Sequence, residues 1–371
     1  MKLDLENKKK LVLKIGSSLL VSEGILREKW LKNFAADVAA LIKDGFEITI
    51  VTSGAIALGK QNLKTNSLKL SLQEKQAAAA VGQIQLMSFY RSFFKKFDIE
   101  VAQILLTASD CNSRDRYLNC KNTIQTLLQN RIVPIINEND SVAVDEIKIG
   151  DNDRLAARVA QMISADLMIL FSDINGLYDS NPKNNKNAKL ISEVFEINKE
   201  IENMAGSAGS EVGTGGMITK IAAAKMLKDS GCDALITSGI SNNPLKKLIS
   251  GKQNFTIFYG KKIAKNQRKK WIAGFLNMKS GVVINKCAVD IFKSKKVSLL
   301  PIGVVATIGD FKKGDAIFIR DEEGNHIASG ITNYAASDVK KILEKKSTEV
   351  KKILGKSAKA EVVHIDNLVV V

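Results

Sequence analysis

Leu11-Val12-Leu13-Lys14-Ile15-Gly16-Ser17-Ser18 is an aliphatic run that ends in a lysine, a glycine and two hydroxyls. Continuous apolar residues, without alternation, fit a strand buried on both faces, as in a parallel sheet. A lysine in such a run is costly unless an anion or a carboxylate meets it. An edge strand with Lys14 in solvent is the other way to satisfy it. Gly16 allows close backbone approach to a ligand, and Ser17 and Ser18 add hydroxyls.

The same kind of run recurs along the first ~260 residues. Strands are predicted at residues 11–15, 47–51, 101–106, 132–136, 167–171, 234–237 and 256–258. Helical patterns fall between them at 30–43, 72–94, 119–129, 154–163 and 218–228. This alternation predicts an α/β fold, a three-layer sandwich with a mainly parallel central sheet. Ligands then bind at the C-terminal ends of the strands. From Gly281 the segments shorten and glycines punctuate them, which predicts a small, mostly β, barrel-like domain. The expected boundaries are 1–260 for the α/β domain, 261–277 for a basic linker and 278–371 for the tail.

Composition narrows the chemistry. The 371 residues fit two domains. The four cysteines have no CxxC spacing, so a reduced, cytoplasmic protein without structural zinc is expected. No apolar run is long enough for a bilayer, and Met1-Lys2-Leu3-Asp4-Leu5-Glu6 lacks a signal-peptide core. The only histidines are His326 and His364, which excludes a Ser-His-Asp triad or a multi-histidine metal site in the larger N-terminal part. Its reaction must run on Lys, Asp, Asn, Ser, Thr and backbone amides. The net charge of +16 leaves RNA binding open, but few aromatics accompany the late lysines as stacking platforms. A general lysine and asparagine bias explains the charge more simply.

Five stretches carry candidate chemistry. Gly213-Thr214-Gly215-Gly216-Met217-Ile218-Thr219-Lys220 precedes a helical run, the arrangement of a phosphate cradle. A flexible surface loop is the blander account. Asn137-Glu138-Asn139-Asp140 follows a buried strand, and Gly150-Asp151-Asn152-Asp153 opens the next helix. Capping explains one of those polar residues but not all. Ser172-Asp173 follows another strand, as a turn or a nucleotide contact. Gly54-Ala55-Ile56-Ala57-Leu58-Gly59-Lys60 fits G-x-x-x-x-G-K, but Gln61 stands where a P-loop needs Ser or Thr, and residues 55–58 read as helix. The useful part is upstream, where Thr52-Ser53-Gly54 offers a hydroxyl and free N–H groups at a strand end.

Taken in order, these motifs resemble the amino-acid kinase family, whose members phosphorylate carboxylates, carbamates or nucleoside monophosphates without a P-loop. They are most similar to its glutamate-phosphorylating branch, and Ser298-Leu299-Leu300-Pro301-Ile302-Gly303 in the tail, with Arg268-Lys269-Lys270-Trp271-Ile272 before it, resembles the PUA domain that accompanies many of those members. The resemblance implies ATP-dependent phosphorylation of the side-chain carboxylate of L-glutamate, on the route to proline. It assigns Lys14 and Lys220 to the transferring phosphoryl group and Asp153 to orienting them. It places Ser53, Asp140, Asn152 and Asn137 around glutamate. It places Lys14, Ser172, Asp173, Thr214, Gly215, Gly216, Met217, Ile218, Thr219 and Lys220 around ATP, with Mg2+ carried by ATP rather than by a protein site. It further implies proline as feedback inhibitor, a homo-oligomer (dimer or tetramer) and glutamyl-phosphate reductase as a partner. Three positions depart from the family's pattern: Ser172 replaces Thr, Ala156 replaces Ser, and Cys287-Ala288 replaces Gly-Ala.

Overall fold

The computed structural model describes residues 2–63, 70–142, 151–182, 184–207, 216–261, 280–294, 297–355 and 358–370. Contacts divide the chain into two compact units, Met1–Lys262 and Ile263–Val371. Most of the expected basic linker, including the Arg268–Ile272 motif, lies outside the described residues.

The first unit is built on eight strands: β1 (Lys10–Ile15), β2 (Glu47–Val51), β3 (Val101–Leu106), β4 (Val133–Glu138), β5 (Leu167–Ser172), β6 (Glu193–Val194), β7 (Asp233–Ser238) and β8 (Phe255–Phe258). They form one sheet in the order β6-β8-β7-β5-β1-β2-β4-β3. Every pairing is parallel except β7 with β8. β1 lies between β2 and β5, with Lys14 opposite Val51 and Leu170. Lys14 is therefore on a central strand and buried, which rules out the edge-strand alternative.

Side-chain alternation sorts β1 onto two cores. Leu11, Leu13 and Ile15 join the cluster that includes Trp30, Phe34 and Tyr90, from helices α1 (Glu28–Lys43) and α3 (Leu72–Phe94). Val12 joins the opposite cluster, with Val159 and Ile221 from helices α5 (Asp151–Ile163) and α6 (Met217–Leu227). Because strand residues two apart share a face, Lys14 emerges on the side of α5 and α6. Helix α4 (Arg114–Gln129) adds Ile124 and Leu128 to that core.

The expected elements form with shifted ends. β4 runs on to Glu138 because Asn137 and Glu138 pair with Leu105 and Leu106, so these two residues belong to the strand and not to a loop after it. α5 starts at Asp151 rather than 154, so Asn152 and Asp153 stand in its first turn. Sequence reading omitted the two-residue edge strand β6 and placed the start of α4 five residues late.

Helix α2 (Ala55–Gly59) occupies the G-x-x-x-x-G-K stretch, which confirms that it is not an open phosphate loop. α2 presses against α3 through two glycines. A Cβ on Gly82 would meet the Ala55 carbonyl oxygen at 1.8 Å, and one on Gly59 would meet that of Ala78 at 1.9 Å. α3 itself starts at a capping box: Glu74 N–H donates to Ser71 Oγ at 3.3 Å, and Ser71 N–H to Glu74 Oε2 at 2.8 Å. Gly82→Ala is expected to lower stability by about 1–3 kcal/mol through overpacking, outweighing a helix-propensity gain of about 1 kcal/mol. A thermal melt of the variant at or above wild type would contradict the close-approach role.

The second unit holds β9 (Gly281–Ile284), β10 (Val304–Ile308), β11 (Ala316–Asp321), β12 (His326–Thr332) and β13 (Val363–Val370) in the order β10-β9-β11-β12-β13. Only β9 with β11 is parallel. The unit has its own core, including Val282, Phe292, Ile317, Val339 and Val363. Helices Lys286–Ser294, Ala336–Lys341 and Ser347–Leu354 accompany the sheet, so the tail carries more helix than the glycine punctuation implied. No described helix of either unit is long and apolar enough to cross a membrane.

Candidate active site

Three side chains from three elements meet at the C-terminal edge of the sheet. Lys14 comes from the end of β1, Asp153 from the first turn of α5 and Lys220 from the first turn of α6. Lys14 Nζ lies 2.6 Å from Asp153 Oδ1, and Lys220 Nζ lies 3.2 Å from Oδ2. Only 6% of Lys14, none of Asp153 and 3% of Lys220 is exposed. Two ammonium groups thus share one carboxylate in a shielded place, so these three groups together carry a net positive charge. Such a charge is costly when empty and well matched to an incoming anion.

Thr219 completes the cluster. Its hydroxyl donates to Asp153 Oδ2 and lies equally close, 2.8 Å, to the Gly216 carbonyl oxygen. Helix α6 begins after Gly216 with no side-chain cap among the described residues, and a helix start of this kind suits an anion. Met217 is buried in the core beneath, while Ile218 is exposed. Thr214 and Gly215 lie outside the described residues.

The charges tune one another. Burial alone would raise the Asp153 carboxyl, but the attraction of Lys14 and Lys220, with hydrogen bonds from Lys14 and Thr219, outweighs it and holds the group below the ordinary carboxylate value. For Lys220, burial dominates and pushes its ammonium below the ordinary lysine value; Asp153 opposes this and Lys14 adds to it. Catalysis by charge needs Lys220 protonated, and a depressed value brings deprotonation to lower pH. We expect kcat/KM for ATP to fall on the alkaline side with a midpoint below 10.5, the ordinary lysine value. A pH profile whose limb lies at or above 10.5 would contradict this placement.

A second group gathers beside the cluster. Asn152 Nδ2 shares its two hydrogens among Ser53 Oγ at 2.8 Å, the Thr52 carbonyl oxygen at 3.0 Å and Asn137 Oδ1 at 3.1 Å. Asn152 and Asp153 are neighbours on α5, so one helix turn serves both groups. Neither residue is merely an N-cap. Asp140, two residues beyond β4, is also buried. Gly54, at φ 110°, makes the turn from Ser53 into α2 in a conformation that favours glycine.

Ser172 ends β5, and its hydroxyl donates to Asp173 Oδ1 at 3.0 Å. Ser172 is buried and Asp173 exposed, yet the Asp173 charge is felt at Lys220. Among the described residues no group of three or more His, Cys, Asp or Glu is arranged to hold a metal ion. Both Asp153 oxygens are already engaged by lysines.

Sequence reasoning missed two supports of this site. Gln83 accepts from Asn137 Nδ2 at 2.9 Å, and Tyr90 shares a 2.9 Å hydrogen bond with Thr52 Oγ1. Both sit on α3, seven residues apart and so on one face. The available signal was a polar residue within the small, apolar run Ala77-Ala78-Ala79-Ala80-Val81-Gly82-Gln83.

A mainly parallel sheet with two buried lysines at its C-terminal edge, and no P-loop among the described residues, fits a phosphotransferase of the amino-acid kinase type. The amino acid kinase family matches residues 9–238 and the PUA domain residues 281–354. The chain belongs to the amino acid kinase family and is a kinase. Over nearly its full length it is similar to curated glutamate 5-kinases. It is 48% identical to that of Rhodopseudomonas palustris (strain BisB5), covering 98% of this chain and 96% of the relative. Against that of Bradyrhizobium diazoefficiens the identity is 46%, with 99% and 98% covered. Against that of Paramagnetospirillum magneticum it is 44%, with 97% of each covered.

Of the three departures, Ala156 is fully buried in the core beneath α5, where a serine hydroxyl would need a partner. Ser172 keeps a hydroxyl, and Cys287 is exposed.

Proposed function

We propose that the chain transfers the γ-phosphoryl group of ATP to the side-chain carboxylate of L-glutamate, giving L-glutamyl 5-phosphate and ADP, the first step of proline biosynthesis. The observation that carries this reading is the pair of buried lysines converging on Asp153 beside the start of α6.

The chemistry asks for alignment rather than proton transfer. A glutamate carboxylate is ionised at neutral pH, so no general base is required. Two anions must instead be brought together and their repulsion neutralised. Lys14 and Lys220 supply charge where the transferring phosphoryl group passes, and Asp153 with Thr219 fixes their positions. Ser53, Asn137, Asp140 and Asn152 hold glutamate, and Ser172, Asp173 and residues 214–220 hold ATP. Magnesium would be held by the phosphates of ATP and would draw off their charge.

Residues 1–260 form the catalytic domain in this reading, 261–277 the linker and 278–371 the PUA-like tail. The enzyme is cytoplasmic, assembles as a dimer or tetramer, passes its product to glutamyl-phosphate reductase and is inhibited by proline. Millimolar proline is expected to lower the rate, and an unchanged rate would remove that regulation from the account. The substrate assignment is tested by ATP-dependent ADP release with glutamate, N-acetylglutamate, aspartate and UMP in parallel. Turnover that prefers any acceptor over glutamate would overturn it.

A further inference from the structure

Gln83 is 8% exposed and Asn137 3% exposed, and they join Asn152 and Ser53 in one chain of hydrogen bonds. The direction of that chain is fixed at one end. The Thr52 carbonyl oxygen can only accept, so the side of Asn152 that faces it must be its N–H₂ group. That group also faces Asn137 Oδ1, which turns Asn137 Nδ2 toward Gln83 Oε1. Gln83 Nε2 is buried and meets no hydrogen-bond partner among the described residues. Gln83 therefore contributes its carbonyl oxygen to the chain and leaves a buried donor unmet. A buried polar group held in that way needs a reason.

The far end of the chain supplies one. Ser53 Oγ accepts from Asn152, so its own hydrogen is free to donate outward. We propose that Gln83 is a positioning residue for the acceptor carboxylate: it holds Asn137 beside Asn152, whose own direction the Thr52 carbonyl oxygen sets, and so keeps the amides around the Ser53 hydroxyl in one arrangement. This rests on the reading of Ser53 and Asn152 as the glutamate subsite. Removing the Gln83 acceptor leaves Asn137 Nδ2 buried and unmet, and Asn137 then turns away from Asn152. Gln83 directly follows Gly82, where α3 comes close to α2.

The test is steady-state kinetics of the full-length chain with Gln83→Leu and Gln83→Glu, varying glutamate and ATP separately. Gln83→Leu is expected to raise KM for glutamate by about tenfold or more while KM for ATP stays within about twofold. Gln83→Glu keeps an acceptor oxygen in either ionisation state and deletes the unmet N–H. It is expected to hold KM for glutamate within about threefold of wild type. If Gln83→Leu does not fold, Gln83→Glu decides alone: a rise of tenfold or more in KM for glutamate overturns the proposal. Equal KM for glutamate in Gln83→Leu and wild type, or ATP and glutamate KM rising together, also overturns it. Wild type without glutamate-dependent turnover would instead defeat the substrate assignment itself.

Discussion

Lys220→Ala lowers kcat by about 10² or more, and Lys14→Ala does the same, with the fold intact. Each lysine brings a full charge to a place shielded from water, where screening is weak and electrostatic effects are large. The phosphoryl group changes its charge distribution along the reaction, so the loss falls on turnover more than on ATP binding. Removing either lysine also leaves Asp153 with one ammonium partner instead of two, which balances the buried charge and limits harm to folding. Single-turnover measurements on folded variants separate the effects. A lysine variant with near-normal kcat would take that residue out of the mechanism.

Asp153→Asn is the more disruptive change. It leaves two ammonium groups close together without their carboxylate, a cost of about 3–5 kcal/mol for a broken buried pair. Both kcat and the melting temperature should fall, in contrast to the lysine variants. The pH dependence carries a further signature. The folded-state value of Asp153 is depressed below its ordinary 3.8, so its contribution to stability is present above about 3.8 and lost as pH falls through the depressed value. Wild type should lose that share of stability in strong acid, and Asp153→Asn should lack it. Equal melting temperatures at neutral pH for variant and wild type would contradict the shared-carboxylate geometry.

Much of the fold was legible because its signals are local. Buried parallel strands are short apolar runs, and the run at 11–15 stood out because Lys14 interrupts it. Alternation even fixes the face on which Lys14 emerges, once the two cores are known. The ends of elements were less legible, because polar residues that look like loop can continue a ladder, as Asn137 and Glu138 do opposite Leu105 and Leu106. The candidate site was legible where its residues form short motifs. Lys14, Asp153 and Lys220 lie far apart in sequence, yet each stands in a recognisable strand-end or helix-start context. Gln83 and Tyr90 have no such context. They reach the site because α3 packs against α2 and shares a core cluster with β2 and β4, through hydrogen bonds that span 54 residues from Gln83 to Asn137 and 38 from Thr52 to Tyr90. No periodicity in α3 announces that its polar residue has a partner on another element.

The most direct measurement is formation of glutamyl hydroxamate when the purified chain is incubated with ATP, magnesium, L-glutamate and hydroxylamine, beside a Lys220→Ala control. An acyl phosphate is trapped by hydroxylamine as it forms, so the readout is the bond that the two lysines are placed to help make. Hydroxamate that requires both ATP and glutamate, and that falls at least ~10² in the control, is the expected result. Wild type yielding no more hydroxamate than Lys220→Ala would contradict the account.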